Sequence, residues 1–250
     1  MPRLVLTLLL IAISARAADE VPSEKRKAGG DDHKQYFLIG ASKDRKAPKE
    51  GFGLVVIMPG GDGSVEFHPF VKRLYEKALP EGYLAAQPIA VQWTDDQEIV
   101  WPSGKLKVDK MKFTTEEFVA AVIADVGKSY KLDPARTFTL TWSSSGPAAY
   151  AISLQEKPIV AGSLIAMSVF KPDLLPDLKA AKGHAYYLYH SPDDRVCPLW
   201  MAEAAEKKLT ETGAKVTLAK YDGGHGWQGD TFNDVRTGIV WLEKNAVKKK

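Results

Sequence analysis

The sequence predicts an α/β fold, a mostly parallel sheet with helices on both faces. Strand-like and helix-like hydrophobic periods alternate along most of the 250 residues, the pattern of βα repeats wound into one sheet. Several of the strand segments are short and apolar throughout, as strands covered on both faces must be. The length suits one domain with a sizeable core, and neither an internal repeat nor a linker interrupts it.

The start of the chain reads differently. Met1-Pro2-Arg3 is followed by the apolar run 4–13 and then by Ala15-Arg16-Ala17. The order basic, apolar, small-x-small predicts a secretory signal spanning 1–17, with cleavage before Ala18. The apolar run is too short for a stable membrane span, so the expected product is secreted or periplasmic, with no stable membrane insertion. Residues 18–32 are polar and are expected to form a flexible segment, leaving 33–246 as the folded domain. The basic clusters at 23–27 and 247–250 read as solvated tails.

Within the domain, strands are expected at 36–39, 54–58, 84–88, 137–141, 162–166, 185–189 and 216–220. Helices are expected at 67–78, 114–130, 147–154, 199–212 and 234–245. Thr114-Thr115-Glu116-Glu117 opens the second helix with residues suited to a helix start. Pro147 is tolerated in the third because the first turn has no internal N–H bond to lose.

Charge excludes one class of partner. Without Arg3 and Arg16 the 34 basic residues fall to 32, against 31 acidic ones. Near-neutrality without a basic stripe argues against nucleic acid. Cys197 is the only cysteine, so no intramolecular disulfide forms, and it reads as a small buried residue.

In such a sheet ligands collect at the carboxyl ends of the strands. The segment after 54–58 is Pro59-Gly60-Gly61-Asp62-Gly63-Ser64, whose glycines suit a loop that presents backbone N–H groups. It lacks the spacing and lysine of a phosphate loop. Gln92-Trp93-Thr94-Asp95-Asp96-Gln97-Glu98 lacks the pattern of a calcium loop and reads as a solvated acidic segment. Its Trp93 and the nearby Trp101 suit either a cleft wall or the lid of a minor core. No cofactor or metal motif emerges.

The segment after 137–141 is Trp142-Ser143-Ser144-Ser145-Gly146, a serine between strand and helix in the manner of a nucleophile elbow. Ser143 is the favoured nucleophile because it places small Thr141 and Ser145 two residues either side, whereas Ser144 would place Trp142 where bulk fits worst. Ser144 then supplies a backbone N–H to an oxyanion hole, its side chain incidental, and Gly61 supplies the other N–H. His190-Ser191-Pro192-Asp193-Asp194 follows a later strand, and Asp222-Gly223-Gly224-His225 follows the last. Serine after one strand, aspartate after a later one and histidine after the last are the parts of a catalytic triad.

These stretches resemble α/β-hydrolase esterases. Asp133-Pro134-Ala135-Arg136 leading to Trp142-Ser143-Ser144-Ser145-Gly146 is similar to their elbow region, above all in the group of carboxylesterase/phospholipase-like, feruloyl-esterase-like and polyhydroxybutyrate-depolymerase-like enzymes. His190-Ser191-Pro192-Asp193-Asp194-Arg195-Val196-Cys197-Pro198 looks like their acid loop, and that likeness selects Asp194 over Asp193. Gly223-Gly224-His225-Gly226-Trp227 is similar to their histidine loop and Pro59-Gly60-Gly61 to their oxyanion loop, the likeness covering roughly 54–241. The departures are Thr141 and Ser145, where two glycines are usual. The resemblance implies an ester hydrolase working through an acyl-enzyme with Ser143, His225 and Asp194, no cofactor, and a small-molecule or polymeric ester as partner. Trp142 and Trp227, beside catalytic residues, are natural substrate walls or else packing under the loops. A serine peptidase on the same fold and a non-catalytic binding protein are the alternatives, the latter favoured only by Thr141 and Ser145.

Overall fold

The structure is a computed structural model that describes residues 21–42 and 44–246. The expected signal at 1–17 and the basic cluster at 247–250 lie outside the described residues. Eight strands form one sheet in the order β1-β2-β4-β3-β5-β6-β7-β8. They are β1 (Ser23–Lys27), β2 (Gln35–Ile39), β3 (Phe52–Met58), β4 (Tyr83–Pro88), β5 (Leu132–Trp142), β6 (Gly162–Ala166), β7 (Ala185–His190) and β8 (Lys215–Lys220). β1 runs antiparallel to β2 and β2 to β4, while β4, β3, β5, β6, β7 and β8 are mutually parallel.

Among the described residues five α-helices cover the sheet: α1 (His68–Ala78), α2 (Thr115–Ser129), α3 (Gly146–Ser153), α4 (Leu199–Glu211) and α5 (Thr231–Asn245). The strand period of two divides the core between the faces. Leu54, Val56 and Met58 of β3 pack with Val119 and Val122 of α2 and Ile152 of α3. Val55 and Ile57 pack with Val71 and Leu74 of α1 and Ile239 and Leu242 of α5. β5 obeys the same alternation, so Phe138, Leu140 and Trp142 all face α1 and α5.

The helix ends follow their chemistry. At α2 the Glu117 N–H donates to Thr114 Oγ1 at 3.2 Å, while Thr114 N–H donates to Glu117 Oε2 at 2.7 Å, a reciprocal capping box. α3 carries Pro147 in its first turn and is buried almost all round, as a short helix in a core must be.

One expectation is corrected. Ser23–Lys27, read as part of a loose tail, is an edge strand paired with β2 from Ser23↔Ile39 to Lys27↔Gln35. Its Ser-Glu-Lys-Arg-Lys sequence has no apolar face to announce it. A charged edge is also how sheets discourage further pairing.

The connections fix where the site lies. From β3 the chain crosses through α1 to β4 on one side, then returns through α2 to β5 on the other side of β3. The carboxyl ends of β3 and β5 thus flank the point where the winding reverses, the place where such sheets hold their ligands. The glycine loop and the serine run stand at those two ends.

Candidate active site

The tight turn after β5 is a 3-10 segment, Ser143–Ser145, that leads directly into α3. Ser143 takes φ +54°, a left-handed conformation that costs a non-glycine residue about 1–3 kcal/mol and that persists where surrounding contacts enforce it. Those contacts come from serines. Ser145, fully buried, accepts a hydrogen bond from Trp142 N–H at 3.0 Å and directs its own hydroxyl to Met58 O at 2.7 Å, with Trp142 O 2.9 Å away. Ser168, on the loop after β6, donates to Ser143 O at 2.6 Å. Ser168 also occupies the space beside Gly146, where an added Cβ would sit 2.0 Å from its Oγ. Thr141 and Ser145, the departures from glycine, are both buried within the turn, and Ser145 ties it to β3.

Three strand ends converge on Ser143. Its hydroxyl lies 3.0 Å from His225 Nε2, and His225 Nδ1 lies 2.8 Å from Asp194 Oδ2. A carboxylate only accepts, so Nδ1 carries the proton and Nε2 is free to accept from Ser143. Asp194 is buried, and its other oxygen accepts from the N–H groups of Val196 at 2.9 Å and Cys197 at 2.8 Å. Burial pushes the Asp194 carboxyl upward, but the Cys197 amide, the His225 ring and the Val196 amide outweigh it and hold the pKa below the ordinary value. Asp193 is exposed and stands apart from this relay.

Two residues that the sequence reading left without a role support the relay. His190, buried at the end of β7, directs Nε2 to Cys197 O at 2.6 Å and lies 3.5 Å from Asp194 Oδ2. It closes the acid loop on itself. Ser191 Oγ accepts from Asp193 N–H at 3.1 Å and from Gly224 N–H at 3.0 Å, joining the acid loop to the histidine loop. A histidine or serine at a strand end carries no spacing signal of its own, so only the fold reveals these contacts.

The glycine loop meets the elbow. An added Cβ at Gly60 would lie 2.6 Å from Trp142 O, so the backbones approach at a distance only glycine permits. Gly61 takes φ +59°. Ser144 Oγ donates to Gly61 O at 2.8 Å. The Ser144 side chain is therefore not incidental, because it clamps the loop and the elbow together.

The two tryptophans separate. Trp142 is only 6% exposed. It lies edge-on to Phe67, Phe70 and Trp227 with centroids 5.8, 5.9 and 5.7 Å away. The β5 alternation turns it into the core, which favours packing over a substrate wall, the two readings that its place beside Ser143 left open. Trp227 is half-buried, and its indole N–H makes no hydrogen bond among the described residues. Trp93 and Trp101 pack on core, Trp93 edge-on to Phe113 at 5.0 Å and Trp101 buried with Nε1 donating to Pro59 O at 3.0 Å.

Asp194, Cys197 and His225 are the one group of metal-ligand type among the described residues, with ligand atoms within 4.8 Å of one another. Asp194 and His225 already bond each other, and burial, with the Asp194 charge, pushes the Cys197 thiol up to about 11. That chemistry keeps the thiol protonated and suits a relay better than a metal centre.

No protein-family model and no curated protein matches this sequence. Its structure is similar to a thermostable esterase from Pseudomonas putida ECU1011, with TM-score 0.63 and 15% identity over 92% of this chain and 84% of that one. It is also similar to an α/β-hydrolase enzyme from a Medee basin deep-sea metagenome library, with TM-score 0.62 and 13% identity over 90% and 98%. A third is Thermogutta terrifontis esterase 2 phosphorylated by paraoxon, with TM-score 0.60 and 13% identity over 89% and 92%. At such identities the shared property is architecture, and together with the mixed eight-stranded sheet it makes this chain an α/β-hydrolase fold.

Proposed function

We propose that the protein is a serine hydrolase that cleaves carboxylic esters through an acyl-enzyme. The observation that carries this reading is the continuous chain Ser143 Oγ, His225 Nε2, His225 Nδ1, Asp194 Oδ2, at 3.0 and 2.8 Å, starting from a serine at φ +54°. That the Thermogutta terrifontis protein is phosphorylated by paraoxon supports the same reading for a chain of this fold.

Serine is a weak nucleophile until a base takes its proton. As Ser143 Oγ attacks the ester carbonyl, its proton passes to His225 Nε2. Asp194 holds the imidazole in the required tautomer and stabilises the cation that forms. The carbonyl oxygen becomes negative between the N–H groups of Gly61 and Ser144, each such donor typically contributing roughly 10²–10³ in rate. Collapse breaks the bond to the alcohol, which leaves with the proton from Nε2. Water then repeats the sequence and releases the acid.

The test is labelling with a fluorophosphonate or paraoxon, followed by mass spectrometry of the modified peptide. The adduct is expected on Ser143, together with turnover of short nitrophenyl esters and none of peptide amides. An adduct on Ser144 or Ser145 breaks this assignment, and no adduct with no turnover points to a binding protein instead. Export rests on the sequence of 1–17. An exported protein whose N-terminus is Ala18 supports it, and one retaining Met1 refutes it. Among the described residues no helix is long and apolar enough to cross a membrane.

A further inference from the structure

An N–H group that meets an oxyanion belongs to a planar peptide unit whose carbonyl, on the preceding residue, points the opposite way. Whatever holds that carbonyl therefore also aims the donor. For Gly61 the carbonyl is Gly60 O, which accepts from Gly63 N–H at 3.1 Å within the glycine loop itself. For Ser144 it is Ser143 O, which accepts from two sources. One is Gly146 N–H, the bond that closes the 3-10 turn. The other is a side chain from outside the elbow, Ser168, whose hydroxyl donates at 2.6 Å.

Ser168 is placed with little freedom. It is buried, and it follows Met167, which takes φ +39°. A non-glycine residue holds that conformation only where its surroundings enforce it. Met167 N–H donates to Tyr189 O at 2.7 Å, which ties the loop after β6 to β7, and the Met167 side chain is buried in the core that faces α1 and α5. On the elbow side the fit is closer still. A Cβ at Gly146 would sit 2.0 Å from Ser168 Oγ and 2.5 Å from Ser168 Cβ. Gly146 itself has φ −60°, ordinary helical backbone, so its conformation does not call for glycine. Above all, the room that Ser168 takes does.

We infer that Ser168 is a positioning residue for the oxyanion hole. Its hydroxyl fixes the plane of the peptide between Ser143 and Ser144, so that Ser144 N–H stays aimed at the charge forming on the substrate. The inference rests on the esterase reading for that charge. Two effects act through the one bond. A hydrogen bond at the carbonyl polarises the peptide and strengthens its N–H as a donor by roughly 10–30%. Orientation is the larger effect, because such a donor stabilises the oxyanion only when it is aimed before the charge appears. Ser168 thus acts through the Ser143 carbonyl, while Ser143 Oγ keeps its own partner in His225.

Ser168→Ala tests this on a pair of substrates, an ester and the matching thionoester, in which the charge develops on sulfur. With the ester, kcat is expected to fall about 10-fold, part of the roughly 10²–10³ that loss of a whole donor costs, with KM nearly unchanged. The thionoester should lose much less, since sulfur is a weak acceptor and gains little from N–H donors. Ser168→Thr keeps the hydroxyl and should recover most of the ester rate. Ser168→Cys, a weaker donor of similar shape, should fall between, and it carries the same comparison if the alanine variant does not fold. Equal losses on both substrates would place Ser168 in the general packing of the elbow, and no loss would give it no part in catalysis. Either result overturns the proposal.

A measurement without substrate keeps the contact separate from the chemistry. The amide nitrogen of Ser144 has a chemical shift that responds to hydrogen bonding at the preceding carbonyl. It should move in Ser168→Ala and return in Ser168→Thr. If it moves and the parent protein turns over no ester, the peptide is held as described, and the esterase reading fails together with the oxyanion role. If esters are turned over and the shift stays in place, Ser168 does not hold that peptide and the proposal fails alone.

Discussion

Ser144 does its work through two separate groups. Its backbone N–H is assigned to the oxyanion, while its hydroxyl holds Gly61 O at 2.8 Å and so fixes the loop that brings the other donor. Ser144→Ala removes one neutral hydrogen bond, worth about 0.5–1.5 kcal/mol, from a contact that matters when charge develops. It is expected to lower kcat about 2–10-fold with little change in KM, and Ser144→Thr should restore most of the loss. A change in KM alone would remove the clamp from the mechanism. By contrast Ser143→Ala should cost on the order of 10⁶ in kcat, and Asp194→Asn on the order of 10⁴. Asp193→Asn should be nearly silent because that side chain is exposed. Initial rates on a nitrophenyl ester decide all of these, and a larger loss at Asp193 would move the acid by one residue. Asp194 is held below the ordinary carboxylate range, so its charge, and the orientation it gives the imidazole, should persist to pH values below that range and be lost only beneath it, as a pH–rate profile of Asp194→Asn beside the parent protein would show. Ser143, an aspartate and His225 could be proposed because each follows a strand, in a chain order that a known chemistry uses, while the choice of Asp194 over Asp193 came from the resemblance of the acid loop alone. His190, Ser191 and Ser168 could not, because their hydrogen bonds cross between loops distant in sequence.

At the scale of elements, period and propensity carry most of the fold, and packing decides where they disagree. α5 illustrates this with Gly238 in its middle. Propensity alone says that alanine there gains about 1 kcal/mol. The structure says otherwise, since a Cβ at Gly238 would sit 2.5 Å from Leu164 Cδ1 and 2.9 Å from Tyr187 Cδ1. The helix lies directly on β6 and β7, and overpacking of that kind typically costs about 1–3 kcal/mol. Gly238→Ala should therefore lower the denaturant midpoint, and a raised midpoint would show that α5 has room to lift. The same logic explains what the sequence concealed. β5 was legible only from 137, because Leu132-Asp133-Pro134-Ala135 holds a proline and a charge, although the strand begins at Leu132. β1 was invisible, since an edge strand exposed on both faces needs no apolar residues and finds its partner only after β2 exists. Trp142 shows the reverse. Its place in the core follows from the alternation Phe138, Leu140, Trp142, so strand period outweighed its nearness to Ser143.

For the molecule as a whole, the sheet is built over phenols that must stay protonated. Tyr36, Tyr83, Tyr150, Tyr186 and Tyr189 are all buried, and burial pushes each phenol well above its ordinary value. Tyr36, Tyr83 and Tyr189 also donate to Asp125, Glu243 and Asp234 at 2.8, 2.8 and 2.6 Å, so ionising them would set a phenolate against a carboxylate. Tyr221, whose hydroxyl holds Gly224 O in the histidine loop, is pushed up to about 12, by burial first and then by the Asp194 charge. In the unfolded chain a tyrosine ionises near pH ~10. A phenol with a raised pKa in the fold contributes stability that is fully present below that value and is lost as the pH climbs from there towards the folded pKa. Within that window each phenol kept protonated lowers stability by about 1.4 kcal/mol per pH unit. Several act together, so the fold should resist neutral and mildly alkaline conditions and then fail abruptly above about pH 10. Tyrosinate absorbance should appear with unfolding rather than before it. Tyr186→Phe sharpens the test, because it removes one buried phenol and its 2.7 Å contact with Ser153. It should cost about 1 kcal/mol at neutral pH, yet make the alkaline loss of the denaturant midpoint shallower. An unchanged alkaline slope would mean that these tyrosines ionise within the native fold and that burial does not hold their protons.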